Sequence, residues 1–126
     1  MINLPNPNLW EKVERLVPFT GKRKVPKEEE KLGFRFENDE YGWSGLTPVA
    51  SVSVQPDRIL ECPLQIEAKV MDTKVPAYAP YFAVVATKVI HVHAHEDIVI
   101  DNCYIDQNQW CFLQNKSGVY VLLVKN

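Results

Sequence analysis

The sequence predicts a mainly β domain, a barrel or antiparallel meander with one or two short helices and about five strands. Segments in which apolar and polar residues alternate follow one another along the chain, and only short connections separate them. No helical pattern lies between them, whereas a parallel sheet needs a long crossover, usually a helix, between its strands. The clearest alternating segments are residues 60–70 and 83–95, and we expect both to be strands.

The size and composition of the chain indicate one globular domain, residues 1–126, because 46% of the residues are hydrophobic. The net charge of −2 gives no field that attracts nucleic acid or an anionic membrane. No apolar run approaches the ~20 residues of a membrane helix. The first residues lack the pattern of a secretory leader, so we expect a cytoplasmic location.

An amphipathic helix is predicted close to the N-terminus. Asn6 is a suitable N-cap, Pro7 suits the first helical position, and Gly21 ends the run. We expect Trp10 to pack this helix on the sheet. The apolar stripe consists of Leu9, Trp10, Val13, Leu16 and Val17.

Residues 22–31 carry five basic and three acidic side chains. They suit either a phosphate or partner contact, or a solvated loop with a helical turn from Pro26 to Leu32 that Gly33 ends. We favour the loop because the charges nearly cancel.

The segment 60–70 is expected to turn its apolar side chains, Cys62 among them, toward the core. Its polar alternates should face solvent, namely Glu61, Gln65, Glu67 and Lys69. The three cysteines contain no C-x-x-C pair, which favours reduced thiols over a disulfide framework or a zinc knuckle. We expect Cys103 and Cys111 to be partly exposed, and none of the three lies beside an evident activating base.

Three histidines alternate in "VIHVHAHED", where His91, His93 and His95 share one strand face. The opposite face, with Ile90 and Val92, should be buried. All three histidines cannot bind one ion, because the first and third lie ~13 Å apart on a strand. A metal site with a further ligand from elsewhere and a position beside a cofactor are alternatives. We favour a solvent or subunit-interface face and assign no metal ligands.

Four segments together resemble the second half of flavin reductase-like proteins with the FMN-binding split-barrel fold. They are "INLPNPNLWEKVERLVPFTG", "GFRFENDEYGWSGLTPVASVSVQPDRILECPLQIEAKV", "AVVATKVIHVHAHEDIV" and "IDQNQW". The resemblance implies an incomplete split barrel, because in the family the FMN phosphate is held largely by strands and loops that precede the matching region. In the family that this chain resembles, short members often carry Gly-Asp-His where this chain has Pro80, Tyr81 and Phe82. This difference leaves open whether a nicotinamide serves as the hydride donor.

A flavin contact within this chain is expected at the aromatic and glycine-rich loop of residues 41–46. The resemblance and the chemistry of stacking select Tyr41, Trp43, Ser44 and Gly45 as cofactor-binding candidates. The alternative is that Tyr41 and Trp43 only pack this loop against the barrel.

Three functions remain open from the sequence. The first is an FMN-dependent redox protein of the flavin reductase-like family, for which FMN binding to this chain alone should be weak or absent. The second is a non-catalytic binding or assembly module, a dimer or the partner of a complementary chain that covers open sheet edges. The third is a small metal-binding protein.

Overall fold

A computed structural model describes residues 1–21, 23–80, 82–116 and 119–122, with side chains described up to residue 113. The strands are β1 (Ile2–Leu4), β2 (Phe19–Thr20), β3 (Arg35–Phe36), β4 (Pro48–Val49), β5 (Arg58–Ile59), β6 (Leu64–Lys74), β7 (Val84–Ala94), β8 (Val99–Ile100), β9 (Tyr104–Ile105), β10 (Leu113–Lys116) and β11 (Val119–Leu122). The helices are α1 (Trp10–Glu14), α2 (Lys27–Lys31) and α3 (Glu40–Ser44), with 3-10 turns at Pro7–Leu9 and Glu96–Ile98. The mainly β class with short helices is confirmed, although most strands have only two to four residues.

The largest sheet is antiparallel and has the order β1-β6-β7. The two long strands predicted from the alternation, 60–70 and 83–95, are present as β6 and β7, but β6 begins four residues later than predicted, at Leu64, and continues to Lys74, into the predicted loop. The register between them shifts twice, once between Glu67 and Ala68 and once between Val70 and Asp72. Such bulges bend and twist a hairpin. The remaining described strands form four two-stranded sheets, of which the β2–β3 pair is parallel.

The predicted N-terminal helix is correct at its start and too long at its end. The Asn6 side chain accepts a hydrogen bond from the amide of Asn8 at 3.1 Å, as expected of an N-cap. The helix ends early because the chain enters β2, where the carbonyl of Pro18 accepts from the amide of Arg35 at 2.8 Å. Proline also disfavours helical backbone at the residue before it. Trp10 stays 48% exposed, so only about half of its side chain is covered, and its packing on the sheet stays a prediction.

The second helical turn is confirmed as α2, which ends just before Gly33. Gly33 has φ of +89°, a left-handed conformation typical of the glycine that terminates a helix. Tyr81, one of the three residues at which the sequence departs from the family pattern it resembles, lies outside the described residues. Each α-helix of the described ranges has five residues, too few to cross a membrane.

The core is small and lies at the end of the hairpin where β6 begins. Its buried apolar side chains are Leu46, Cys62, Leu64 and Ile98. The predicted burial of Ile90 and Val92 is wrong, since these side chains are 46% and 51% exposed. Within the described residues, β7 pairs with β6 alone and little of the chain covers this part of it. Alternation predicts which residues share a face, but it does not supply the layer that buries that face.

Candidate functional site

The predicted flavin-contact loop forms a short helix, α3, rather than an open loop. Asp39 caps this helix, because its carboxylate accepts from the amide of Gly42 at 2.8 Å. Gly45 ends the helix with φ of +71°, and its amide donates to the carbonyl of Tyr41 at 2.8 Å. Both glycine amides therefore have partners within the loop. They are not available to the polar edge of a flavin unless the helix opens.

Trp43 is half-exposed and packs against β2 and β3. Its ring meets the ring of Phe19 edge to face, with centroids 5.9 Å apart. The guanidinium of Arg35 lies 4.9 Å from the Trp43 centroid and 5.0 Å from that of Phe19, within the range of a cation–π contact. The Trp43 side chain also contributes to the lowered pKa of Glu37. These contacts fit the alternative in which Trp43 packs the loop against the barrel. A planar ligand would have access only to the part of the Trp43 ring that these contacts leave exposed.

Tyr41 and Ser44 line a groove of about 270 Å³ beneath α3. The Ser44 side chain is buried, and its hydroxyl donates to the carbonyl of Tyr41 at 3.3 Å and accepts from the amide of Leu46 at 3.3 Å. Burial raises the pKa of Tyr41, with Asp57 and Glu40 adding to the effect. Ser44 therefore has a local structural role, and Tyr41 stays a neutral phenol at physiological pH.

The groove is acidic, with Glu37 and Glu40 in its wall. A hydrogen bond from the amide of Asp39 leads the effects that lower the pKa of Glu37, so this carboxylate is ionised at neutral pH. An FMN phosphate is a dianion that needs free amides or cations. The amides of Gly42 and Gly45 are occupied and the described lining of the groove contains Glu37 and Glu40 but no cation, so the groove itself does not fit the phosphate.

Lys12 is the cation closest to the end of α3, and it already has two partners. Its ammonium donates to the carbonyl of Gly45 at 2.6 Å and lies 3.6 Å from the carboxylate of Glu61. Glu61 also accepts from the amide and the hydroxyl of Thr47, at 3.0 Å and 2.9 Å. Burial opposes ionisation of Glu61, but these hydrogen bonds outweigh it and lower its pKa. The network ties α1 to the segment after α3.

Glu67 was predicted to face solvent and is instead fully buried, at 0% exposure. Its carboxylate accepts from the amide of Val52 at 2.8 Å and from the amide of Ser53 at 2.6 Å. The ring of His93 donates from Nε2 to the same carboxylate at 2.7 Å. Burial alone would raise the pKa of Glu67, but the three donors outweigh it and bring the pKa from 4.5 to about 2. Three donors thus hold this fully buried carboxylate in place.

Gln65 was also predicted to face solvent and is 3% exposed. Its amide nitrogen donates to the carbonyl of Cys62 at 2.8 Å, and its oxygen accepts from Arg58 at 3.0 Å. The segment 50–58 thus folds over the polar face of β6 and supplies backbone and guanidinium donors. A buried polar side chain is tolerated where every donor or acceptor finds a partner.

The histidines divide into a pair and a separate residue. His91 and His93 share a face of β7, as predicted, and their ring centroids lie 4.5 Å apart. His91 is exposed, whereas the side chain of His93 is only 17% exposed. His95 follows the strand, and its ring donates to the carbonyl of Leu60 at 2.9 Å. Groups of three or more His, Cys, Asp or Glu side chains able to hold a metal ion are not found among the described residues.

The cysteines occupy the expected environments. Cys62 is buried, and burial, with a smaller effect of Glu61, raises the pKa of its thiol to about 11. Cys103 is exposed and Cys111 is half-buried. A thiol with so high a pKa is protonated at neutral pH, which excludes Cys62 as a thiolate nucleophile there.

The role of Glu67 could be suspected from the sequence only through strand pairing. In the antiparallel register Glu67 lies opposite His91 and Gln65 opposite His93, so acceptor and donor side chains face one another across two strands. Taken alone, the alternation of apolar and polar residues in each strand indicates that the polar face is exposed to solvent. The burial depends on segment 50–58, whose position no periodicity predicts.

Comparisons with known proteins place this geometry in a known fold. No family model matches the chain. Over 110 residues it is 44% identical to the uncharacterized protein YdfE of Bacillus subtilis (strain 168), an alignment that spans 87% of this chain and 53% of the relative. The crystal structure of a candidate flavin reductase with a split barrel domain from Shewanella frigidimarina NCIMB 400 superposes with a TM-score of 0.67 at 16% identity.

That superposition covers 98% of this chain and 56% of the Shewanella protein. The chain therefore spans about half the length of each protein it matches. At 16% identity the likeness establishes the fold and not the activity. The resemblance drawn from the sequence is confirmed at that level: the chain has the split-barrel fold of flavin reductase-like proteins.

Proposed function

We propose that this chain forms part of a flavin reductase-like redox protein that binds FMN. The observation that carries the proposal is the split-barrel likeness over 98% of the chain. Flavins supply hydride and electron transfer chemistry, and the protein contributes binding, orientation and electrostatics. The likeness in fold supports a protein of the flavin reductase-like class. The chemistry of the groove at α3 limits which parts of FMN this chain can bind.

In this proposal the chain supplies an aromatic wall and other strands supply the phosphate site. Tyr41 lines the groove at α3, and Trp43 lies on the same helix with its ring half-exposed, so each offers a surface on which an apolar ring edge could pack. The acidic wall of that groove would repel the phosphate end of FMN. An FMN phosphate that lost water without gaining donors would suffer a desolvation cost of several kcal/mol, more than one stacking contact returns. FMN binding by this chain alone should therefore be weak or absent.

The exposed apolar strands support assembly as a second role. In the distal part of the β6–β7 hairpin the side chains of Val70, Met71, Val84, Val85 and Val89 are 48–63% exposed. β7 also has a free edge within the described chain. Exposed apolar faces and unpaired edges of this kind favour pairing with another chain. We propose that a second copy or a complementary segment covers them, which makes the protein a dimer or a two-part barrel.

The test is an FMN titration of two proteins, followed by flavin fluorescence. One is the 126-residue chain; the other is full-length YdfE, which is about twice as long as the part aligned here. We expect saturable binding by the longer protein and little by the chain alone. Tight binding by the chain alone would place the phosphate site within it, and no binding by the longer protein would contradict the flavin proposal.

A variant pair tests the aromatic wall. In the same chain extended by the segments that complete the barrel, Trp43→Ala should weaken FMN binding. Tyr104→Ala removes an aromatic side chain that is 70% exposed on the β8–β9 hairpin, so it should leave binding unchanged. Equal affinities of the two variants for FMN would show that Trp43 does not contribute to the flavin site. Light scattering tests the assembly role, which a monodisperse monomer at all accessible concentrations would contradict.

A further inference from the structure

The paired histidines of β7 combine with the buried carboxylate of Glu67 in an arrangement that the flavin proposal does not use. The carboxylate of Glu67 accepts from the amides of Val52 and Ser53, one at each oxygen, so it offers acceptors to its third partner. The hydrogen at the 2.7 Å contact therefore belongs to Nε2 of His93. In the neutral imidazole this fixes the tautomer and leaves the lone pair on Nδ1.

A carboxylate that holds one ring nitrogen of a histidine is the usual outer-shell partner of a metal-ligating histidine. It fixes the orientation of the ring and raises the basicity of the ligating nitrogen. The orientation of the His93 ring is fixed here by a fully buried group that two backbone amides hold in place. The described residues give neither Nδ1 of His93 nor the ring of His91 a hydrogen-bond partner.

The second ligand is the neighbouring ring. His91 and His93 lie two positions apart on β7, with ring centroids 4.5 Å apart and planes tilted by 35°. Two imidazole nitrogens bound to one ion at about 2.0–2.1 Å stand roughly 3.3 Å apart in tetrahedral geometry. We expect the exposed ring of His91 to turn to reach that separation, because the hydrogen bond to Glu67 holds the ring of His93. The exposure of His91 leaves the outer side of the pair open to solvent.

We propose that His91 and His93 form a two-histidine chelate for a late first-row divalent metal ion, with Glu67 as the positioning carboxylate behind His93. Imidazole suits Ni²⁺, Cu²⁺ and Zn²⁺, with Cu²⁺ bound most tightly in the general order. Since no group of three metal-binding side chains is found in the described part of the chain, water completes the coordination sphere. This site is independent of the flavin proposal.

The sequence left a metal site at the histidines as an alternative but named no further ligand or supporting group, because Glu67 was expected to point into solvent. Its burial against His93 is what distinguishes this pair from two unconnected surface histidines. His95 is a matched control, because it belongs to the same sequence pattern but donates to the carbonyl of Leu60.

The experiment is isothermal titration of the tag-free chain with NiCl₂, in a background where Cys103 and Cys111 are changed to serine so that thiols do not compete. We expect saturable 1:1 binding that His91→Ala weakens by at least about tenfold and His95→Ala leaves unchanged. Glu67→Gln should also weaken binding by about tenfold while keeping His91 and His93. Circular dichroism confirms that each variant is folded.

Proton NMR gives a second readout that loss of fold cannot imitate. Substoichiometric Ni²⁺, which is paramagnetic, should broaden the ring signals of His91 and His93 before those of His95. Absence of saturable binding, or equal affinity in His91→Ala and the parent, would overturn the chelate. Unchanged affinity in a folded Glu67→Gln variant would overturn the positioning role of the carboxylate.

Discussion

The two ends of the β6–β7 hairpin have similar alternating sequences and opposite environments. At one end, which we call the packed half, Leu64 to Glu67 are buried or half-buried under β1 and segment 50–58. At the other, the exposed half, β6 from Lys69 to Lys74 and β7 from Val84 to Ile90 are exposed at every position. The difference lies in what covers the strands. Alternation determines which residues share a face of a strand, and the rest of the fold determines which face is buried.

At the packed half, polar side chains are buried at positions where the alternation predicts exposure to solvent. There Gln65 and Glu67 are more deeply buried than Ile66, because backbone donors and Arg58 meet them. In the exposed half, valines meet solvent. These exposed apolar side chains are the basis for the assembly proposal.

Among these variants, Leu64→Ala should lower the stability of the chain most, because it removes a core side chain of the packed half that is only 8% exposed. We expect the free energy of unfolding to fall by about 2–5 kcal/mol, the range for large-to-small core substitutions. Urea unfolding at neutral pH measures it. A loss below about 1 kcal/mol would mean that the packed half relaxes around the cavity and is less rigid than its burial indicates.

Glu67 should make the packed half sensitive to acid. Its pKa in the folded chain is about 2, lower than the ordinary 4.5, so its contribution is present above about pH 4.5 and is lost as the pH falls toward 2. We expect Glu67→Gln to be less stable at pH 7 and to lose less stability over that interval. Urea midpoints from pH 7 to pH 2 test this. Glu28→Gln, which changes an exposed carboxylate in α2, is the control and should follow the parent.

Gly45→Ala should destabilise the segment that joins α3 to the packed half by about 1 kcal/mol, because φ of +71° is unfavourable for a residue with a Cβ. A Cβ there meets nothing closer than 4.0 Å, so the cost is conformational and not steric. Gly45→Asn should cost less, since Asn tolerates this region better. Gly21→Ala, at a position with open space and no positive φ, should cost nothing measurable; equal effects at the two glycines would contradict the explanation.

Val70→Ala should have the smallest effect in the isolated chain, within about 0.5 kcal/mol, because this side chain is 58% exposed. If a second copy or a complementary segment covers the exposed half, the cost should rise above about 1 kcal/mol in the assembled form. Urea unfolding at low and high protein concentration separates the two cases. An effect that is small and independent of concentration, in a protein that light scattering shows to be assembled, would place the interface elsewhere.

The candidate site was predictable only in part. The sequence identified Tyr41, Trp43, Ser44 and Gly45 as one cluster, and the structure does gather them around α3. It did not indicate that Asp39 would occupy the Gly42 amide or that Arg35 would lie against Trp43. The Arg35 contact joins β3 to α3 and forms only when the fold brings these elements together, whereas the Asp39 cap is a local contact that the loop interpretation did not consider. Glu67 was missed for the same reason as the Arg35 contact, since its partners Val52 and Ser53 lie some fifteen residues earlier in the chain.

The sequence by itself determined the local elements: the cap at Asn6, the helical turn that ends before Gly33, and the two long strands of the hairpin. These depend on backbone propensity and on hydrogen bonds between neighbours, so nearby residues specify them. The tertiary structure alone decided that Glu67 is buried and Val92 is exposed. Burial depends on which distant segment covers a face and whether that segment brings hydrogen-bond donors. A buried carboxylate with three donors is therefore stable here, while apolar side chains with no covering layer stay in water.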